Sequence, residues 1–471
     1  MWILKKRKEG TEMQILNSKL EIRKILIIII SPVLLFSSNL QAQVGLNARS
    51  MGMAGAYGSM ARGSEAVIWN PAILGFPSQE EHKSFPEPHK YWPKAPRFSA
   101  DFASMGMSIG NNSLNLDLYN QYFSKSYFER NEIWDNSAKS AIISAFDNDF
   151  SGFGNLQATA LAISYQKFAF SVSSFLYSNI ELPQNLLVAP LQGLGSAPLP
   201  IDNTGGEMIF GTEIAMSTSK VLYEWDFFDY FSLGATFKYF LGHAYAKLDQ
   251  TSGTVISNED TLAVNGSYRL LAAIPFDDRG KSGDGVGLDL GAAAIAGEKL
   301  VLGLTLSNLV GSINFGEVEE QTGGIALNES GIDVDYLNDL GGYIDSIAVT
   351  SDTTYISAEI IKYMMPKALL LSANYRILPW IIVEADYHQG LNKTAGGTTT
   401  PRLALGTEIS YMKFLPLRFG LAAGGLQGFT IAAGLGLKIG SFQLDFAVAG
   451  QRGLFNSSKG VNFALSPRIS F

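Results

Sequence analysis

The chain has 471 residues, no cysteine, and 43 acidic against 35 basic side chains. That excludes disulfides, thiolate chemistry and lipid attachment at a cysteine, and the acidic balance argues against nucleic acid, which calls for a basic stripe. Hydrophobic residues make up 46%, with 48 Gly, 29 Phe and 19 Tyr, a composition that favours β structure over helix.

The first 42 residues read as a cleavable signal peptide. Lys5, Lys6, Arg7, Lys8, Lys19, Arg23 and Lys24 precede the apolar run Ile25–Phe36, and Ala42 ends the cleavage region. The run holds 12 residues, whereas a spanning helix needs about 20. Met13 is an alternative start. Without this segment the chain keeps 28 basic and 40 acidic residues, a net of −12. No later run approaches a transmembrane helix, so the exported chain is expected to be periplasmic, secreted or a barrel.

Gly45–Gly75 is dense in Gly and Ala, lacks a sustained hydrophobic period, and contains Trp69-Asn70-Pro71-Ala72. Glycine permits φ > 0, and Pro71 fixes its own φ and pushes Asn70 out of the helical region. Such a segment is a poor core helix and suits a compact plug; the alternative is an ordinary Gly-rich loop. It resembles the hatch of FadL-type outer-membrane transporters. Arg49, Gly52, Met53, Gly55, Ala56 and Tyr57 match the first half of that pattern, and Trp69, Asn70, Pro71 and Ala72 the second. Ala54 stands where the pattern has Gly, and Glu65 stands alone where it has two acidic residues.

Phe76–Arg97, with five prolines, is expected to be a linker that neither helix nor central strand can cross. Its His82 and His89 have no third ligand at a useful spacing, so a solvated loop is preferred to a metal site. From Phe98 onward period-2 segments dominate. Phe442, Leu444, Phe446 and Val448 share one face, opposite Gln443 and Asp445. Leu403, Leu405 and Ile409 oppose Arg402 and Glu408, and Leu300, Leu302, Leu304 and Leu306 form another apolar face. The segments run about 10 residues, enough to cross a bilayer as tilted strands, and short and long connections alternate strictly. Fourteen strands result: 98–110, 153–165, 168–178, 206–221, 229–242, 285–295, 300–313, 366–377, 380–391, 401–411, 416–424, 428–438, 441–450 and 461–471. The count rises to 16 if Leu114–Phe123 and Val264–Ile274 also span. Short helices are expected near Asn136–Phe146, capped by Asn136 or Ser137, and around Leu186, Leu187 and Leu191, broken by Pro190.

The terminal VNFALSPRISF alternates and ends on Phe471. It resembles the closing strand of outer-membrane proteins, whose last aromatic is read by the barrel assembly machinery. Pro467 loses a ladder bond, so a bulge is expected there. No phosphate loop, His-Glu-x-x-His or Gly-x-Ser-x-Gly motif is present. Glu384, Asp386 and His388 share one strand face; a polar lumen explains them better than a metal or acid–base site.

The expected fold is thus an all-β transmembrane protein, an antiparallel outer-membrane barrel of about fourteen strands, with residues 43–97 as hatch and linker and 98–471 as barrel. The resemblance is nearest to a FadL-like branch in Bacteroidetes-type bacteria and implies passage of a hydrophobic small molecule by a monomer in outer-membrane lipid. No cofactor, metal or enzymatic activity is expected. The competing reading is a PorV-like scaffold for type IX secretion cargo, using loops Asn111–Gly152 and Asn314–Met365.

Overall fold

The computed structural model describes residues 46–471 except 79–91, 125–133, 147, 193–197, 201, 223–227, 258–261, 274–281, 317, 330–353 and 359. The expected signal peptide, His82, His89 and much of the Asn314–Met365 loop lie outside the described residues.

Fourteen strands form a closed ring. They are β1 Phe98–Asn111, β2 Phe150–Tyr165, β3 Phe168–Leu182, β4 Gly205–Leu222, β5 Tyr230–Ser257, β6 Gly283–Ala296 and β7 Leu300–Ser307. There follow β8 Ala368–Leu378, β9 Ile381–Gly390, β10 Arg402–Ile409, β11 Leu417–Gly424, β12 Thr430–Ile439, β13 Phe442–Gln451 and β14 Gly460–Ser470. Each pairs antiparallel with the next. β14 pairs back with β1, Ser470 opposite Ser99 and Gly460 opposite Gly110, so no edge is left open.

The two stretches that left the count open do not span. Leu116–Tyr122 is a helix, with the Asn115 side chain accepting from the Leu118 N–H at 2.8 Å. Leu262–Ala273 pairs with the outer half of β5 and with Val318–Glu329, which in turn pairs with Thr354–Ala358. This ribbon extends the wall beyond the long-loop end. A second ribbon sets Ser312–Phe315 between the start of β6 and Ile361–Met364.

Three local expectations are corrected. Helix Asn136–Ala145 is capped by Asp135, whose carboxylate accepts from the Ala138 N–H at 2.7 Å, rather than by Asn136 or Ser137. Helix Gln184–Gln192 runs through position 190, because a proline near a helix end forfeits only one ladder bond. The bulge expected at Pro467 falls on its neighbour. Pro467 stays in register with Leu444 of β13, while β1 shifts register between Asp101 and Met105, with Ala103 at φ 50°.

The outward phase of the strands is apolar and exposed, with Leu304, Leu403, Leu405, Phe419 and Leu421 among the exposed side chains. This is the lipid-facing band of a transmembrane barrel. Leu304→Arg should therefore cost about 2–4 kcal/mol near the bilayer midplane, read as a lowered midpoint when refolding into vesicles is followed by gel mobility. Alternation alone makes Arg at the neighbouring Thr305 harmless. The structure does not: Thr305 is only 2% exposed, because at that level the lumen is filled.

Candidate functional site

What fills the lumen is the Gly/Ala-rich stretch. From Leu46 to Pro77 nearly every residue is buried. Small residues alone would not hold such a segment, because they bury little apolar area each. The hold comes from short helical turns, close backbone contacts and polar bonds to the wall.

Asn47 opens the first turn, Ala48–Gly52, its side chain accepting from the Ser50 N–H at 2.9 Å. The chain then reverses through Ala54 at φ 52° and Gly55 at φ 84°. Ala54 is the departure from the hatch pattern, and it occupies a conformation in which glycine is unstrained; a non-glycine residue there costs about 1–2 kcal/mol. Its methyl packs with Ala56 against Ala404, Ala422, Ala432 and Ala449 of the wall. Arg402 donates to its carbonyl at 3.1 Å.

Strand β9 binds the next turn. Asp386 accepts from the N–H groups of Tyr57 and Gly58, both at 2.8 Å. Glu384 accepts from the Ser59 N–H and hydroxyl, both at 2.7 Å, and His388 Nε2 lies 3.2 Å from the Gly55 carbonyl. These three residues therefore face hatch backbone. Among the described residues no group of three His, Asp or Glu is placed to hold a metal ion.

Trp69 stacks edge-on against Tyr57, with ring centroids 5.6 Å apart, and against His388 at 6.2 Å. Asn70 is extended, at φ −154° and ψ 106°, as the following proline requires. Its Oδ1 accepts from the Ala72 N–H at 3.0 Å, capping the turn Pro71–Gly75, and its Nδ2 donates to the Ala292 carbonyl of β6 at 3.1 Å. Glu384 and Asp386 are taken by Ser59, Tyr57 and Gly58 and do not reach it. β5 completes the seat: Ser232 donates to the Ala72 carbonyl at 2.7 Å and Tyr230 to that of Gly75 at 2.8 Å.

The wall is cut away where the hatch backbone meets it. A Cβ at Gly234 would lie 2.3 Å from Pro71 C, at Gly291 2.2 Å from Asn70 Oδ1, and at Gly420 2.1 Å from Met53 C. Gly106 and Gly406 are occupied in the same way by Leu46 and Met53, and Gly52 itself meets Gly434. No Cβ fits at the five wall positions without displacing the hatch, and at Gly52 and Gly434 one would push the facing backbone back by a few tenths of an ångström.

An ion network missed in the sequence ties the hatch to β1, β10, β11, β13 and β14. Glu65 pairs with Arg49 at 3.0 Å and Arg468 at 2.5 Å and accepts from the Tyr57 hydroxyl at 2.6 Å. Arg49 also reaches Glu408, at 3.2 Å, and Arg418 bridges Glu408 at 2.8 Å and Asp445 at 2.7 Å. Burial works to raise the Glu65 carboxyl, but Arg468, Arg49 and the Tyr57 hydroxyl outweigh it and hold it below the usual glutamate range. The available signal was the phase: Arg402, Glu408, Arg418, Asp445 and Arg468 all fall on inward positions of their strands.

Toward the long-loop end the lumen turns apolar. Phe175, Tyr177, Ile209, Phe240 and Tyr245 from β3, β4 and β5 pack with Ile313, Phe315 and Tyr363 of the second ribbon. Between this cluster and the hatch, Lys238 pairs with Asp289 at 2.8 Å and Glu213 at 3.4 Å.

A family model matches residues 96–448, from the start of β1 into β13. The chain belongs to DUF5723, a family of unknown function. No curated protein matches it in sequence. This DUF5723 barrel is similar in structure to the Ralstonia pickettii toluene transporter TbuX, with TM-score 0.47 and 12% identity over 91% of this chain and 98% of that one. It is similar to the P. putida toluene transporter TodX, with TM-score 0.47 and 13% identity over 91% and 99%. It is also similar to a Pseudomonas aeruginosa FadL homologue, with TM-score 0.49 and 14% identity over 92% and 100%. The DUF5723 match leaves the hatch outside its span, so the seat described above rests on this chain's own residues.

Proposed function

We propose that this protein is an outer-membrane barrel of the FadL-like kind, exported by its signal peptide, in which Gly52–Ala72 gates the passage of a hydrophobic small molecule. The observation that carries the reading is the division of one lumen. A buried aromatic cluster lies on the long-loop side, and a plug lies beneath it. An apolar solute entering from that side meets the cluster first and would have to displace its side chains. The plug is seated by hydrogen bonds, ion pairs and packing, so a shift needs only an exchange of partners. Gly52, Gly55, Trp69, Asn70, Pro71 and Ala72 are the gate, and Glu384, Asp386 and His388 the wall that holds it. Phe471, exposed at the short-turn end, is the assembly signal. Among the described residues no observation favours the secretion-scaffold alternative.

Asn70→Ala tests this reading. It removes the turn cap and the bond to Ala292, and leaving buried polar groups unpaired costs about 1–3 kcal/mol. The barrel, closed by its own ladder, should keep its gel mobility, while uptake of a hydrophobic fluorescent probe by expressing cells should change several-fold. The chain has no native cysteine, so Val67→Cys, at an apolar hatch position only 1% exposed, reports hatch exposure by labelling. Unchanged uptake alongside increased labelling would count against gating.

A further inference from the structure

The short-turn mouth holds a second feature, outside the aromatic cluster. A cavity of about 930 Å³ lies between the hatch, the linker end Lys94–Arg97 and the turns after β10 and β12. Among the described residues, eight cationic side chains line it against one side-chain carboxylate, Glu408, while Glu65, Asp101 and Asp445 pair with the floor arginines from behind the lining. In a chain with formal net charge −8, that concentration of positive charge at one opening is not a sample of the average surface.

The cations fall into two layers. At the floor stand Arg49, Arg418 and Arg468, which face the lining as well as the ion network. Their carboxylate partners do not use all their donors: Arg49 Nε, Arg418 Nη2 and Arg468 Nε are buried without a hydrogen-bond partner. Arg418 is 0% exposed. A buried guanidinium N–H with no acceptor is costly, and a planar fork is matched by a carboxylate or phosphate oxygen. At the rim stand Lys94, Lys413 and Lys438, all exposed. Charges of one sign on low-dielectric walls focus the field into an opening and raise the local concentration of counter-charged ligand. Phe414, Pro416 and Phe471 add apolar wall between the layers.

We propose that this vestibule is an anion-binding site that takes a phosphate or carboxylate group. The rim lysines, with Arg62 and Arg97 of the same lining, draw the anion in and hold it. The apolar wall accommodates a chain or ring attached to the anion. Arg49 and Arg62 of the lining come from the hatch and the rest from wall, turn and linker, and binding to the seated hatch does not require that the hatch gate passage.

The test uses the purified full chain in non-ionic detergent, titrated with inorganic phosphate and with dodecyl phosphate, and followed by calorimetry. The variant Lys94→Ala/Lys413→Ala/Lys438→Ala touches no ion pair of the hatch, and its gel mobility verifies the fold. Wild type should bind one equivalent, more weakly as salt is added. The triple variant should bind about tenfold more weakly, three exposed charges each contributing a few-fold. Tighter binding of dodecyl phosphate than of phosphate would assign the site to an amphiphile's headgroup, and equal binding would assign it to a free anion. Absence of binding by both probes, or equal affinity in variant and wild type, would overturn the proposal.

Discussion

Gly291→Val is expected to leave the barrel closed and its plug unseated. The new Cβ would stand 2.2 Å from Asn70 Oδ1 and 3.0 Å from Pro71 Cδ, and valine adds two methyl groups beyond it. Neither neighbour is a flexible side-chain end. Asn70 is held by its own turn and by Ala292, and Pro71 is a ring. β6 cannot yield, since β5 and β7 fix it on both sides. Overpacking of this kind costs about 1–3 kcal/mol, and the hatch, held by fewer bonds than the strand, is the part that moves. The measurement is conductance in planar bilayers. A persistent ion leak should appear in Gly291→Val and be absent from Gly316→Val, where no atom lies within 4 Å of the added Cβ. Equal conductance in the two would show that the wall glycine does not seat the plug.

Glu65→Gln should produce the larger loss of stability. The carboxylate is the shared partner of Arg49 and Arg468. Its removal leaves Arg49 with Glu408, and Arg468 with Asp101 at 3.8 Å. Stripping one member from a buried pair costs about 3–5 kcal/mol, which should appear as a lowered unfolding temperature in detergent. The pH dependence follows from the direction of the Glu65 shift. A carboxyl held below its usual value stabilises the fold fully above the unfolded pKa of about 4.3, and that contribution fades as pH falls through the lowered native value. Wild type should therefore lose unfolding temperature on acidification in that window, and Glu65→Gln should lose less. Parallel pH profiles would show that the pairing contributes nothing.

The strand content was legible because a lipid-facing strand must alternate. Phe442, Leu444, Phe446 and Val448 against Gln443 and Asp445 leave a single register, and turn lengths did the rest. The hatch was legible by its small residues and by Asn70-Pro71, whose backbone the proline dictates. Pairings across the lumen were not. Glu65 meets Arg468 across 403 positions of chain, and nothing local in either segment names the other. The role of the wall glycines was hidden for a related reason. In a strand considered alone, Gly234, Gly291 and Gly420 look like weak positions, and their purpose emerges only when a second backbone lies against them. Asp135 displaced Asn136 as a helix cap because neighbouring Asp, Asn and Ser compete for the same N–H groups and sequence does not rank them.

The plug is not fastened evenly around the ring. At the junction of β1 and β14 it is bound by charge and by crowding: the Ser64 N–H donates to Ser99 at 2.7 Å, its hydroxyl to Asp101 at 2.5 Å, and Glu65 holds Arg468. On the opposite side, at β6 and β7, Asn70 holds by amide bonds to two carbonyls, Ala292 at 3.1 Å and Leu304 at 3.4 Å. Complete ejection would strand Arg468 and Asp101 at the seam where first and last strands meet, weakening the closure itself. Lifting the Trp69–Ala72 edge alone breaks only neutral bonds, whereas moving Ala54–Ser59 as well would break the bonds to Asp386, Glu384 and Arg402. If the plug gates as proposed, the displacement that costs least is therefore that of a flap, with Ser64 and Glu65 on its fixed side and Trp69–Ala72 as its free edge.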